Sequence, residues 1–112
     1  MFDKRTIAEK FSVKEHVVVY CGDCVELLTT IPDESLQLII TSPPYNIGKE
    51  YEKRLKLGLY LEQQAAVIRE CYRCLSPRGS ICWQVVNYVD NGSIIPLDTV
   101  LYPIFTELGL EI

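Results

Sequence analysis

A chain of 112 residues holds one domain at most. Its formal charge of −4 argues against this segment being a main DNA-gripping surface, because phosphate binding wants an excess of Lys and Arg. Apolar residues make up 48% of the sequence, enough for a core, but no run approaches the roughly 20 apolar residues that span a membrane. The charged first residues carry no apolar segment of the kind that directs secretion, so a cytoplasmic location is expected.

Residues 1–15 mix charged and apolar types, and Asp3 can cap a short helix with Ile7, Ala8 and Phe11 inward. The lone His16 reads as a surface residue. Residues 17–21 are β-branched and apolar and predict a strand. Gly22 then permits a tight turn. Asp23 follows at the strand's carboxyl end, where it can cap one or two helical turns over residues 25–30. Residues 31–35 are a turn. Leu36, Leu38, Ile39 and Ile40 form a short apolar run that predicts a buried strand.

Thr41-Ser42-Pro43-Pro44-Tyr45-Asn46 ends that strand. Two prolines stop the ladder, since neither donates a backbone N–H, and each pushes the residue before it toward extended geometry. The result is a stiff loop at the carboxyl end of a strand, where open α/β sheets place their ligands. It carries a hydroxyl (Ser42), backbone carbonyls and an aromatic face (Tyr45), a set suited to a planar, hydrogen-bonding group such as a nucleobase.

Residues 47–58 are irregular, with Lys49, Lys53, Arg54 and Lys56 set against Glu50 and Glu52. The segment reads either as a solvated loop or as a contact to DNA phosphate. Residues 59–75 predict an amphipathic helix with Leu61, Ala65, Ile68, Tyr72 and Leu75 inward, ended by Pro77 and Gly79. Residues 80–86 are apolar on both faces apart from Gln84 and predict an interior strand, with Trp83 in the core. A loop with Asp90, Asn91 and Gly92 follows. Pro96 opens a second helix with Val100, Ile104, Phe105 and Leu108 inward and Gly109 as terminator. Pro103 predicts a kink or break in it, and residues 110–112 look like the start of another strand. The order of elements is that of an α/β chain.

Five cysteines stand at 21, 24, 71, 74 and 82. Cys21-x-x-Cys24 with Cys71-x-x-Cys74 invites a four-thiolate zinc reading. The gap between the pairs is far longer than in compact zinc ribbons. Cys71 and Cys74 also share a helix face with apolar residues, where free Cys acts as a small hydrophobe.

Ser42-Pro43-Pro44-Tyr45 resembles the (Asp/Asn/Ser)-Pro-Pro-Tyr motif of DNA methyltransferases that modify exocyclic amino groups, giving N6-methyladenine or N4-methylcytosine. Gly22-Asp23-Cys24 upstream, Pro32 to Leu36 before the catalytic strand, and Arg73 to Ser80 after the helix strengthen the likeness. The resemblance implies a partial Rossmann-like methyltransferase fold whose sheet is incomplete in this chain. It implies S-adenosylmethionine as cofactor, contacted by Asp23, Cys24 and Thr41. Double-stranded DNA is the implied partner, contacted by Asn46, Lys49 and Lys53. Ser42, Pro43, Pro44 and Tyr45 would carry the catalysis, without a metal and without a covalent cysteine.

An exocyclic amine is a weak nucleophile because its lone pair is delocalised into the ring. Acceptors on its two hydrogens, here the Ser42 hydroxyl oxygen and the Pro43 carbonyl, favour rehybridisation by electrostatic preorganisation. Tyr45 would stack on the flipped base. Ser at position 42 leans slightly toward cytosine N4. No Phe-x-Gly-x-Gly cofactor loop is present. The chain is therefore expected to be an N-terminal catalytic segment over 1–112, completed by a missing C-terminal half or by self-association. A non-catalytic methyltransferase-like interaction module and a four-Cys zinc module are the alternative readings.

Overall fold

The computed structural model describes residues 7–48 and 54–112. Asp3, Lys49 and Lys53 lie outside them. Among the described residues nine elements follow in chain order: β1 (Ile7–Ala8), β2 (Val17–Val18), α1 (Cys24–Thr30), β3 (Leu36–Thr41), α2 (Leu57–Cys74), β4 (Leu75–Trp83), β5 (Asn87–Asp90), β6 (Ser93–Pro96) and α3 (Leu97–Glu107).

They pair as three two-stranded sheets: β1 with β2, β3 with β4, and β5 with β6. The centre of the fold is the β3–α2–β4 unit. Its strands are parallel, so they need a crossover, and α2 supplies it. Leu38 faces Ser80, Ile39 faces Ile81, Ile40 faces Cys82 and Thr41 faces Trp83. The register shifts between Leu36 and Leu38, because Ser76 to Gly79 are accommodated opposite a single β3 residue. Gly79 is required there: a Cβ on it would lie 2.6 Å from Leu75 Cδ1 and 3.0 Å from the Leu36 carbonyl oxygen. Gly79 therefore belongs to the strand; α2 already ends at Cys74.

The helix α2 is one face wider than its sequence spacing predicts. Tyr60, Gln64, Ala65, Ile68, Cys71 and Cys74 are buried, while Tyr72, expected inward, is exposed. One helix thus serves two cores. Tyr60 and Ile68 pack with Tyr88, Leu97 and Leu101, and Cys71 and Cys74 pack with Leu28 and Ile31. Trp83 touches both clusters and meets Phe105 edge to face, with ring centroids 5.8 Å apart.

Arg73 ties α1 to α2. Its guanidinium donates to the carbonyls of Leu28 (2.7 Å) and Ile31 (3.0 Å) at the end of α1, and to Asp33 (2.6 Å) and Glu70 (3.0 Å). Both carboxylates hold the Arg73 charge more firmly than in water.

Several expectations are corrected. Residues 7–8 are not helical but pair with 17–18 as short parallel strands. The strand predicted over 17–21 is only two residues long. The loop predicted after Asn87 is an antiparallel hairpin closed by Asn91 and Gly92, both with positive φ (48° and 82°). Pro103 does not break α3, which continues through it to Glu107. The helix ends in a Schellman cap: the Gly109 N–H bonds the Thr106 carbonyl, the Leu110 N–H bonds that of Phe105, and Gly109 has φ +91°. Residues 110–112 carry no strand pairing. Among the described residues β4 pairs on one side only, and the β3–β4 face exposes Leu38, Ile40 and Cys82 rather than lying inside a sheet.

Candidate active site

The diproline corner begins where β3 ends. Thr41 is the last rung, and its carbonyl accepts the Gln84 N–H at 3.0 Å, one residue beyond the end of β4. Ser42 and Gln84 therefore emerge side by side at the carboxyl ends of two parallel strands, the edge at which open α/β sheets hold ligands.

The Ser42 side chain is exposed, and its hydroxyl donates to Gln84 Oε1 at 3.0 Å. Pro43 is buried, which anchors the corner; Pro44 is exposed and Tyr45 half-buried. Tyr45 belongs to neither core cluster. The Tyr60 hydroxyl on α2 donates to the Pro44 carbonyl at 2.8 Å. Of the two proline carbonyls, that one is occupied. Among the described residues nothing donates to the Pro43 carbonyl, which leaves it and Ser42 Oγ as the acceptors at the corner.

Asn46, expected at the DNA surface, has a different job. It is 2% exposed with φ +60°. Its Nδ2 donates to the Leu55 carbonyl (2.8 Å) and its Oδ1 accepts the Leu55 N–H (2.6 Å). The side chain mimics a strand partner and brackets the segment between them, so in this structure its amide is not presented to a nucleic acid. Beside it, Arg54 stacks on the Tyr88 ring at 4.9 Å, donates to the Val89 carbonyl at 2.5 Å, and stands 3.9 Å from Asp90. The hairpin β5–β6 thus occupies the Arg54 side chain.

Asp23 is the N-cap of α1, its Oδ1 accepting the Val25 N–H at 2.8 Å. That uses one carboxylate oxygen. A Cβ on Gly22 would meet the Tyr20 ring at 2.8 Å, so the ring would have to move aside. The Tyr20 hydroxyl donates to Glu26, which pushes its pKa up. Cys24, the first residue of α1, has its thiol pushed up by partial desolvation and then by Asp23. Because β2 and β3 lie in separate sheets, no ladder joins Asp23 and Cys24 to the Thr41–Tyr45 corner.

The four cysteines of the zinc reading do not gather. Cys71 and Cys74 are buried and Cys21 and Cys24 exposed, and among the described residues no group of three or more His, Cys, Asp or Glu is placed to hold a metal. A groove of about 720 Å³ lies between β4 and α3, with Ile81, Trp83, Val85, Leu101, Phe105 and Ile112 among its lining and none of residues 41–46. No helix among the described residues is long and apolar enough to cross a membrane.

Two partners of the corner escaped sequence reasoning. Tyr60 gave no signal beyond its place on a helix. Gln84 did: it is the one strongly polar residue in the apolar run 81–86.

Comparison with known proteins bears on this geometry. The family model N6_N4_Mtase, DNA methylase, matches residues 36–106. The type II methyltransferase M.BglII of Bacillus subtilis is 48% identical over 99 residues, covering 87% of this chain and 28% of its own length. The DNA adenine methyltransferase YhdJ of Escherichia coli is 38% identical over 79 residues, covering 68% of this chain and 26% of its own length. Among solved structures, the cytosine-N4-specific PvuII DNA methyltransferase superposes with a TM-score of 0.64 at 28% identity, over 80% of this chain and 33% of that one. The chain spans a third or less of the length of these relatives.

Proposed function

The chain belongs to the N6_N4_Mtase family of DNA methylases, and from that membership we propose that its diproline corner carries the chemistry of methyl transfer to an exocyclic amino group of a DNA base. The enzyme would be a type II modification methylase. Its activity would draw also on the regions that the relatives carry outside the matched segment. Double-stranded DNA is the substrate. Ser42 in the first motif position favours cytosine N4 over adenine N6.

One observation carries the reading: an exposed hydroxyl and a proline carbonyl, both acceptors, stand on a rigid corner beside a half-buried aromatic ring. A base amine donates two hydrogens. Paired acceptors draw on both, localise the nitrogen lone pair and stabilise the positive charge that develops there. The prolines keep the acceptors fixed, so little reorganisation is needed at the moment of reaction. Tyr45 offers its face to a base turned out of the duplex.

The donor set suits S-adenosylmethionine in part. Asp23 has a second carboxylate oxygen beyond the one used in the cap, and a carboxylate accepts an adenine amino hydrogen well. Cys24 and Thr41 would line the same region. When bound, S-adenosylmethionine supplies the methyl group as a sulfonium electrophile.

Tyr45→Ala should lower turnover about ten- to hundredfold, as lost base stacking implies. It should leave cofactor affinity intact. The check is tritiated-methyl incorporation into duplex DNA by enzyme that includes the outlying regions; unchanged turnover refutes the reading. Nucleoside analysis of the product identifies the base.

A further inference from the structure

We infer that Gln84 is a positioning residue for methyl transfer: its side-chain carbonyl holds the Ser42 hydroxyl hydrogen, so that Ser42 meets the target amine as an acceptor only. This rests on the reading of the corner just given.

A serine hydroxyl has one hydrogen and two acceptor lone pairs, and unheld it rotates freely. In some of its rotamers it aims its hydrogen at an incoming N–H, where donor faces donor. Gln84 removes those states. Its Oε1 accepts the Ser42 hydrogen at 3.0 Å, which turns the lone pairs of Oγ away from Gln84. The backbone sets this pairing up. The Gln84 N–H adds a rung to the Thr41 carbonyl, immediately before Ser42, so the two side chains start from fixed neighbouring positions although 42 residues separate them.

The fold itself gains little from the contact. Both side chains are exposed, and an exposed hydrogen bond between neutral groups competes with water on even terms. A glutamine in an apolar strand end, bonded to the motif hydroxyl, is better accounted for by what it does to that hydroxyl. Its chemistry also limits the role. An amide does not take up a proton near neutral pH, so Ser42 and Gln84 form no proton relay. The proton lost by the methylated amine passes to water or to a base elsewhere.

The test compares kcat and KM for Gln84→Leu, Gln84→Glu, Ser42→Ala and the Gln84→Leu/Ser42→Ala pair, in enzyme that includes the regions its relatives carry outside this segment. Gln84→Leu should lower kcat about tenfold with KM for DNA and cofactor unchanged, as expected for one hydrogen bond. Gln84→Glu, which keeps the acceptor and cannot donate, should recover most of that loss. In the Ser42→Ala background, Gln84→Leu should cost nothing further, because its effect acts through the hydroxyl. The melting temperature of Gln84→Leu should match that of the parent. An unchanged kcat in Gln84→Leu, or losses that multiply in the double variant, overturns the inference while leaving the corner's role standing. An unchanged kcat in Ser42→Ala overturns both.

Discussion

Asp23 shows how one side chain can hold two assignments that a single substitution confuses. Its Oδ1 caps α1, and an aspartate N-cap replaced by alanine costs about 1 kcal/mol. The same replacement removes the proposed acceptor for the cofactor's adenine amino group. Asparagine separates the two, because it caps as well as aspartate but carries no charge. Asp23→Asn should keep the melting temperature and weaken S-adenosylmethionine binding measurably by calorimetry. Affinity lost only in Asp23→Ala would assign Asp23 to capping alone. Asn46 makes the opposite point. A polar residue following a catalytic motif invites a ligand role, yet at φ +60° and 2% exposure its amide is committed to the backbone of Leu55. Sequence shows the polarity of a side chain, but its burial depends on chain nine residues away.

Elements whose signals are local were legible, and those decided by distant partners were not. The strand β3, the cap and body of α1, and the cap of α3 follow from neighbours in sequence: an apolar run stopped by two prolines, Asp23 before the first turn, Gly109 after the last. Residues 7–8 were misread because Ile7, Ala8 and Phe11 fit a helix as well as a strand, and pairing with Val17 and Val18 decides. The hairpin β5–β6 was readable and missed. Asn91-Gly92 between Val89 and Ile94 is the strongest short turn signal there is, since both residues tolerate positive φ. The α2–α1 contact adds a pH dependence. Burial pushes the Cys71 thiol up to about 11 from its usual 9.0. A raised folded-state value means that the folded chain retains this proton longer than the unfolded chain. The contribution is full below about pH 9 and is lost as pH rises toward 11. Denaturant midpoints should fall over that window, and fall less in Cys71→Ala; parallel profiles for the two proteins would remove Cys71 as the cause.

At the scale of the whole molecule the surface is too large for the mass. The accessible area is 8543 Å², against roughly 6,300 Å² for a compact monomer of this size. The radius of gyration is 16.3 Å, where a compact domain has roughly 13 Å. The excess includes the uncovered face of the central sheet, with Leu38 55% and Ile40 71% exposed, and the edges of β3 and β4 that have no strand partner among the described residues. Exposed strand edges and apolar faces recruit further chain. This 112-residue chain alone should sediment above its monomer mass at micromolar concentration, and Ile40→Lys should shift it back toward the monomer. A strictly monomeric parent would disprove this. The bracket at Asn46 has a consequence of another kind. Because two hydrogen bonds tie Asn46 to Leu55, just ahead of α2, the helix that carries Tyr60 is moored to the diproline corner at a second point, and any tilt of that helix would be felt at the Pro44 carbonyl.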